Sequence, residues 1–165
     1  MDGFISKGMV DVMRIALGSD HAGFDLKTVL VKTLTDWGHD TLDLGTDNAT
    51  DSVDYPDFGS AVGRSVASGE CELGVAVCGS GIGISIAANK VPGVRAAVVH
   101  DVTSAHLARE HNHANVLCLG SRLTGATVAV EALDAWLNAT PAVGRHMARI
   151  AKLVALDEQL VDDER

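Results

Sequence analysis

The sequence has little cysteine, little basic charge and no long hydrophobic run. Its three cysteines, Cys71, Cys78 and Cys118, are too few and too scattered for a disulfide framework, and no C-x-x-C pair suggests a zinc site. The formal net charge of −9 argues against a general nucleic-acid-binding protein, because no basic stripe covers the chain. No apolar run is long enough to cross a bilayer, so we do not expect a membrane as a partner. From the charge, we do not expect a nucleic acid either.

What the sequence does contain fits one compact domain. The chain has 165 residues, of which 47% are hydrophobic and 21% charged, and this is enough to form a buried core. Its first residues lack a basic region followed by a continuous apolar stretch, so they do not resemble a secretory signal. We therefore predict a cytoplasmic protein with an N-terminal extension at residues 1–13 and a single domain at residues 14–165, which includes a C-terminal helix.

Segments typical of strands and of helices alternate along the chain. The predicted strands are residues 14–20, 39–45, 73–79, 94–101 and 115–120. The predicted helices are residues 22–38, 56–69, a helix that follows the third strand and ends at Lys90, then 102–112, 124–138 and 141–160. Five apolar strands alternating with helices predict an α/β fold, a three-layer α/β/α sandwich around a Rossmann-like, five-stranded parallel sheet.

Polar residues follow three of the predicted strands directly. Asp20 and His21 follow the first strand, residues 78–83 the third, and His100 and Asp101 the fourth. In open parallel sheets, ligands bind at the carboxyl ends of the strands. We therefore expect the binding site at this edge of the sheet.

The stretch "VCGSGIGISIAANK", residues 77–90, fits none of the common glycine motifs. A dinucleotide-binding loop that starts at Gly79 would need glycine where Ile84 stands, and no Gly-Lys-Ser/Thr sequence closes a P-loop. A nucleophile elbow centred on Ser80 would need glycine at positions 78 and 82, which are cysteine and isoleucine. The stretch therefore predicts a row of unobstructed backbone N–H groups at a helix N-terminus, which stabilises an anion.

Two side chains of this loop have more than one interpretation from the residues alone. The helix dipole would stabilise the thiolate form of Cys78, yet most free cysteines are simply small buried hydrophobic side chains. The Ser80 hydroxyl would donate a hydrogen bond to an oxyanion, or it would only cap the helix.

Five motifs occur in an order that resembles the ribose-5-phosphate isomerase B family, which also includes galactose-6-phosphate isomerase-like enzymes. They span about residues 14–150 and read "GSDHAGFDLK", "DYPDF", "CGSGIGISIAANKVPGVRAA", "AREHNHANVLCLGSR" and "GRHMARI". The resemblance implies isomerisation between an aldose and a ketose form of a phosphorylated sugar through a cis-enediolate. It also implies that the reaction uses no metal and no other cofactor.

The resemblance assigns the proton-transfer chemistry to the glycine loop. Cys78 matches the catalytic base of one branch of the family, whereas the other branch uses a glutamate at the position of Ile84. The family likeness therefore places this chain in the cysteine branch. The Ser80 hydroxyl and the loop amides, those of Gly79, Gly81 and Gly83 included, would stabilise the enediolate.

The resemblance also assigns a histidine to the opening of the sugar ring. His111 matches the ring-opening histidine and Asn112 its neighbouring substrate contact. Imidazole suits this role because it exchanges a proton near neutral pH. The pattern alone favours a solvated histidine at a helix end.

Further residues match the family's contacts to sugar hydroxyls and phosphate. Asp20 and His21 match this region, although an Asp-His pair there would also cap the next helix. Arg145 and Arg149, four apart on one helix face, match phosphate-binding arginines, and Arg122 is a further candidate. From the pattern alone, the two arginines also fit a solvated stripe opposite Val143, Met147, Ile150 and Val154. Family active sites combine two subunits, which implies a homodimer or a dimer of dimers with the active site at the interface.

The resulting prediction is the interconversion of D-ribose 5-phosphate and D-ribulose 5-phosphate, a reaction of the non-oxidative pentose phosphate pathway. Another phosphosugar is the main alternative: galactose 6-phosphate, allose 6-phosphate or a tetrulose phosphate. A cysteine-dependent hydrolase, a phosphosugar-binding module without activity and a metal enzyme stay open as other classes. For the last of these, His106 and His111 are five apart, unlike a zinc pair four apart on one helix face.

Overall fold

The computed structural model describes residues 11–162. Most of the predicted N-terminal extension, residues 1–10, lies outside this range, as do residues 163–165 at the end of the predicted domain. Within the described part of the chain, no helix combines the length and the apolar character that a membrane span requires.

The centre of the molecule is a five-stranded parallel sheet. Its strands are β1 (Arg14–Ser19), β2 (Asp40–Asp43), β3 (Leu73–Cys78), β4 (Ala96–Val98) and β5 (Val116–Gly120). They lie in the order β2-β1-β3-β5-β4, and every neighbouring pair is parallel. This arrangement confirms the predicted Rossmann-like sheet, with β1, β3 and β5 side by side at its centre.

Helices cover both faces of the sheet and confirm the three-layer sandwich. They are α1 (Phe24–Asp36), α2 (Tyr55–Ala67), α3 (Ile82–Asn89), α4 (Val102–Asn112), α5 (Ala126–Asn138) and α6 (Arg145–Asp162). One core packs side chains of α1, α4 and α5 against the sheet, with Trp136 fully buried in it. The other core packs α2 and α3 against the opposite face, around Val62 and Ile84.

Several element boundaries differ from the prediction by a few residues, and three of the differences have a local reason. The helix predicted from residue 22 begins with a 3₁₀ turn at His21–Gly23, because Asp20 Oδ1 accepts a hydrogen bond from Gly23 N–H at 2.9 Å. The fourth strand is shorter than predicted, since β4 is an edge strand that pairs with β5 alone. The last helix begins at Arg145 and not at residue 141, because Gly144 has a φ of +77° that ends the preceding loop.

An ion pair between a buried lysine and a half-exposed aspartate connects α1 to the end of β2. Lys27 is 1% exposed, and its Nζ lies 2.5 Å from Asp43 Oδ1. The same carboxylate oxygen accepts a hydrogen bond from Gly45 N–H at 3.0 Å. Gly45 O in turn accepts from Ser19 N–H at 2.7 Å, so the pair anchors the loop that runs beside the end of β1.

The apolar set predicted on the last helix is mostly exposed in the single chain. Ile150 is buried, at 7% exposure, but Val143, Met147 and Val154 are 80%, 46% and 40% exposed. Leu153 and Leu156 of the same helix are exposed as well. Helix α6 and the loop before it therefore present an apolar surface that the rest of the chain does not cover.

Candidate active site

The glycine loop joins the end of β3 to the start of α3, and its backbone conformation requires glycine. Gly81 has a φ of +78°, in the left-handed region, and a Cβ built on it would lie 2.9 Å from the Leu119 carbonyl carbon. A Cβ on Gly120 would lie 2.5 Å from the Ser80 carbonyl carbon. The loop and the end of β5 are therefore packed backbone against backbone.

At the N-terminus of α3, the N–H group of the capping residue Gly81 points at Cys78. Gly81 N–H donates a hydrogen bond to Cys78 Sγ at 3.1 Å. The first bond of the helical type runs from Ser85 N–H to Gly81 O at 3.2 Å, so Gly83 and Ile84 belong to the turn whose N–H groups have no helical acceptor. A negative charge on the sulfur, or on an oxygen bound next to it, is stabilised by this arrangement.

Ser80 is placed for both of the roles that the sequence left open. Its Oγ accepts a hydrogen bond from Ile82 N–H at 3.3 Å, as a capping hydroxyl does. A hydroxyl that accepts one bond still has its own proton to donate. Capping and donation to a substrate oxygen are therefore compatible.

A cleft of about 280 Å³ opens above the carboxyl ends of β1, β3 and β5. The predicted residues that line it are Asp20, Cys78, Gly79, Ser80, Gly83 and Arg122. The strand order explains this meeting, because the three strands that carry these residues are neighbours at the centre of the sheet. The cleft lies at the edge of the sheet where the sequence predicted a binding site, but His100 and Asp101, predicted there too, do not line it.

Arg122 is held over the glycine loop by its own backbone. Its N–H donates to Gly79 O at 3.0 Å, and Ser121 N–H donates to Cys78 O at 2.9 Å. A Cβ on Gly79 would lie 3.3 Å from the Arg122 guanidinium carbon, so the side chain packs directly on the loop. This places a permanent positive charge at the mouth of the cleft.

Asp20 and His21 have structural contacts at the same edge. Asp20 is 7% exposed and caps the 3₁₀ turn, yet it also lines the cleft. His21 Nδ1 accepts a hydrogen bond from Val53 N–H at 3.2 Å, which leaves Nε2 as the protonated nitrogen of the neutral ring. This bond ties the polar loop before α2 to the end of β1, and His21 is not among the residues that line the cleft.

Four predicted residues lie at the opposite end of the strands from the cleft. Helix α4 starts beyond the carboxyl end of β4 and runs back, so His111 and Asn112 at its end lie near the amino end of β5. His111 stacks on His146, with ring centroids 4.4 Å apart and planes within 11°. The start of α6, with Arg145 and Arg149, is therefore at this end too. One chain does not bring these four residues to its own cleft.

The histidine-rich segment from His100 to His113 does not form a metal site by itself. In the part of the chain that the structure covers, no three His, Cys, Asp or Glu side chains are grouped so that they could hold a metal ion. His113 instead ends α4 in a left-handed conformation, at φ 49°, and contacts Ala142 O through Nε2 at 2.9 Å.

Comparison with known proteins covers almost the whole chain. The sequence profile of the family described as Ribose/Galactose Isomerase matches residues 15–153. The chain belongs to this family.

Individual members of the ribose/galactose isomerase family match it over nearly their full length. Ribose-5-phosphate isomerase B of Escherichia coli (strain K12) is 44% identical over 146 residues, covering 88% of this chain and 97% of the relative. A galactose-6-phosphate isomerase subunit of Clostridium acetobutylicum is 40% identical, with coverages of 92% and 86%. The solved structure of Clostridium thermocellum ribose-5-phosphate isomerase B has a TM-score of 0.88 at 47% identity, covering 90% and 99%. The protein is therefore an isomerase of this family.

Two residues of the isomerase's cleft were not singled out by the sequence analysis, Tyr55 and Leu123. A Cβ on Gly83 would lie 2.6 Å from the Tyr55 ring, so the absence of a side chain at Gly83 makes room for this ring. Tyr55 is the single tyrosine of the chain and stands in the "DYPDF" motif, directly after a polar loop. An isolated aromatic residue after a polar loop could have indicated that Tyr55 belongs to the site. Nothing in the sequence distinguishes Leu123 from a core leucine.

The three cysteines of the isomerase have different surroundings. Cys78 borders the cleft, whereas Cys71 is 1% exposed and Cys118 is completely buried in the sheet. Burial, together with the nearby Cys78, raises the pKa of the Cys118 thiol far above its usual value. Cys118 is therefore protonated at every pH at which the folded protein is handled, and it is not a candidate nucleophile or base.

We expect one cysteine to react when the folded protein is treated with iodoacetamide at pH 8. Cys78 is the expected site because, although all three cysteines are largely buried, it is the one of the three that lines the cleft. Peptide mass spectrometry after a short treatment checks this, with denatured protein as the reference in which all three react. Labelling of Cys118 as fast as Cys78 in the folded protein would contradict the burial that the structure assigns to it.

Proposed function

We propose that this isomerase interconverts D-ribose 5-phosphate and D-ribulose 5-phosphate through a cis-enediolate, without a metal ion. The observation that carries the proposal is the contact between Cys78 Sγ and Gly81 N–H at 3.1 Å, inside a cleft lined by polar side chains. It joins a proton acceptor to an oxyanion-stabilising helix N-terminus. The Escherichia coli relative named ribose-5-phosphate isomerase B supports the choice of substrate.

In the forward reaction, the Cys78 thiolate removes the proton from C2 of the open-chain aldose. The electron pair of that C–H bond forms the C1–C2 double bond, and negative charge develops on O1. The Ser80 hydroxyl and the amides of Gly79 to Gly83 donate hydrogen bonds to that oxygen. Cys78 then returns a proton to C1 while the proton of the O2 hydroxyl passes to O1, which gives the ketose.

Other residues of the cleft bind the sugar in this proposal. Asp20 and Tyr55 have polar atoms suited to the sugar hydroxyls, and Arg122 supplies positive charge beside the developing anion. The ring form of the aldose must open first, which requires an acid–base group. The residues that line the cleft include no histidine within the described chain, so the ring-opening group has to come from elsewhere.

A second copy of the chain supplies that group in the proposed assembly. His111, Asn112, Arg145 and Arg149 lie at the edge of the sheet opposite their own cleft, so they are placed to serve the cleft of a neighbour. The exposed apolar surface of α6 and the loop before it, with Met147 and Val143, gives such a neighbour an area to cover. We therefore propose a homodimer, or a dimer of dimers, with each active site between two chains.

A cysteine-dependent hydrolase fits the cleft less well. Such an enzyme needs an imidazole within hydrogen-bond reach of the thiol. Cys78 Sγ instead accepts a hydrogen bond from the backbone N–H of Gly81. An isomerase acting on another phosphosugar uses the same geometry, and the galactose-6-phosphate isomerase subunit among the relatives makes it the second candidate.

The test is NMR of D-ribose 5-phosphate incubated with the protein in deuterium oxide that contains a chelator. We expect D-ribulose 5-phosphate to appear with deuterium at C1. No conversion would refute the ribose 5-phosphate assignment, and galactose 6-phosphate and allose 6-phosphate would then be tried. Conversion that stops only when the chelator is present would refute the metal-free mechanism.

A further inference from the structure

The last turn of α4 holds one carboxylate between two imidazole rings. Glu110 Oε2 lies 3.3 Å from His106 Nε2 and 3.5 Å from His111 Nε2. His106 and Glu110 are four residues apart on one helix face, and His111 is the next residue. No role in the reaction described so far uses Glu110 or His106.

The ring of His111 is also fixed on its face. His146 stacks on it with nearly parallel planes, 4.4 Å between centroids. The segment that leads to His146 is bound to the end of α4, because Ala142 N–H donates to Glu110 O at 2.8 Å and His113 Nε2–H donates to Ala142 O at 2.9 Å. The plane and one edge of the His111 ring are therefore both determined by neighbours.

The position of the Glu110 carboxylate distinguishes the two ring nitrogens of His111, because it lies next to Nε2. An ionised carboxylate only accepts hydrogen bonds, so a proton on Nε2 makes this 3.5 Å ion-pair contact attractive, whereas a lone pair on Nε2 would be repelled. We infer that Glu110 is a positioning residue that holds His111 Nε2–H and leaves Nδ1 as the atom that exchanges protons with the sugar ring. This inference rests on the proposed function, in which His111 opens the ring of the aldose.

The assignment gives a balanced ring-opening step. As the C1–O4 bond of the furanose breaks, its electron pair goes to O4, which takes the proton from Nδ1 of the protonated His111. The C1 hydroxyl loses its proton to water as the carbonyl forms, so no proton is consumed overall. The ion-pair contact between Nε2–H and Glu110 is kept throughout and stabilises the charged form of the ring before the transfer.

The charges that surround His111 are compatible with this role. Desolvation and the neighbouring His111, Arg145 and Arg149 side chains lower the pKa of His146, while Glu110 acts in the opposite direction. His146 is therefore neutral at neutral pH. The stacked ring adds no second positive charge beside His111, and Glu110 is the negative group that lies within ion-pair distance of it.

The experiment separates ring opening from proton transfer. D-ribose 5-phosphate is mostly a furanose, whereas D-ribulose 5-phosphate has no free hydroxyl with which to close such a ring. Conversion of the aldose requires both steps, but exchange of the C1 hydrogen of the ketose with deuterium oxide requires Cys78 alone. Both rates are measured for the full-length protein and for Glu110→Ala, Glu110→Gln and Glu131→Gln.

We expect Glu110→Ala to slow aldose conversion by about ten- to a hundredfold, the loss typical of removing a carboxylate that orients a histidine at a metal site. Glu110→Gln, which keeps an acceptor oxygen, should lose less. Ketose exchange should stay at the rate of the unaltered protein in both variants. Glu131 is an exposed glutamate of α5, so Glu131→Gln should change neither rate.

Two results would overturn the inference. One is an equal loss of both rates in Glu110→Ala, which indicates a general structural role, and the other is no loss of either. If the unaltered protein exchanges the ketose hydrogen and converts the aldose, the proposed function stands whatever the variants do. If it does neither, the proposed function fails, and the inference fails with it.

Discussion

Replacing Cys78 with alanine is expected to slow the isomerisation of D-ribose 5-phosphate by about 10²–10⁴-fold, the usual contribution of a general base. Alanine removes the proposed proton acceptor and leaves the rest of the cleft in place. The sulfur accepts one hydrogen bond, from Gly81 N–H, and the glycine loop is otherwise held by backbone bonds from Ser121 and Arg122. We therefore expect the loop to keep its conformation, and steady-state kinetics with a thermal denaturation curve checks both points.

Cys71→Ala is the matched control for this prediction. Cys71 is also buried and also a free thiol, but it does not line the cleft. The Cys71→Ala substitution should lower the melting temperature. The turnover rate should stay within about twofold of that of the unaltered protein, because Cys71 contacts no reacting group. Isomerisation in Cys78→Ala at the rate of the unaltered protein would mean that another group is the base.

Much of the fold was predictable because the chain alternates regularly between apolar strands and helices. The rule that connections between parallel strands are crossovers then leaves few arrangements. Polar residues predicted at the ends of β1 and β3 do border one cleft, whereas His100 and Asp101, predicted after the fourth strand, do not line it. Elements whose limits depend on tertiary pairing were harder, and the short β4 illustrates this, because its apolar run continues beyond the residues that pair with β5.

The composition of the cleft was less predictable than the fold. Gly79, Ser80 and Gly83 were found because a glycine loop after a buried strand is a local signal. Tyr55 was not, because it reaches the cleft through the packing of α2 against α3, where Gly83 leaves space for its ring. Such a contact joins residues far apart in the chain, and no spacing rule indicates it.

The separation of His111 from Cys78 follows from the same alternation that predicted the sheet. A crossover helix runs antiparallel to the strands, so the end of each helix lies at the edge opposite the carboxyl ends of the strands. Residues at the end of α4 therefore do not reach the cleft of their own chain. If Cys78 and His111 act on one substrate, the alternation of strands and helices therefore requires that the two residues come from different chains.

That requirement leads to the second prediction. Cys78→Ala and His111→Ala proteins should each be nearly inactive, yet a mixture in which their subunits exchange should regain activity. In a mixed dimer, one of the two clefts combines an intact Cys78 with an intact His111 from the other chain. Random reassociation of equal amounts makes half of the dimers mixed, so about a quarter of all sites are restored.

The control mixture pairs Cys78→Ala with Arg122→Ala. Both side chains line the cleft of one chain, so every cleft in a mixed dimer lacks one of them, and no site is restored. Activity is measured after the subunits are unfolded together and refolded, with each variant refolded alone as the baseline. Recovery in the first mixture but not in the second would require active sites built from two chains. Equal behaviour of the two mixtures would place His111 and Cys78 in the same chain's site, or outside a common one, and would contradict the proposed assembly.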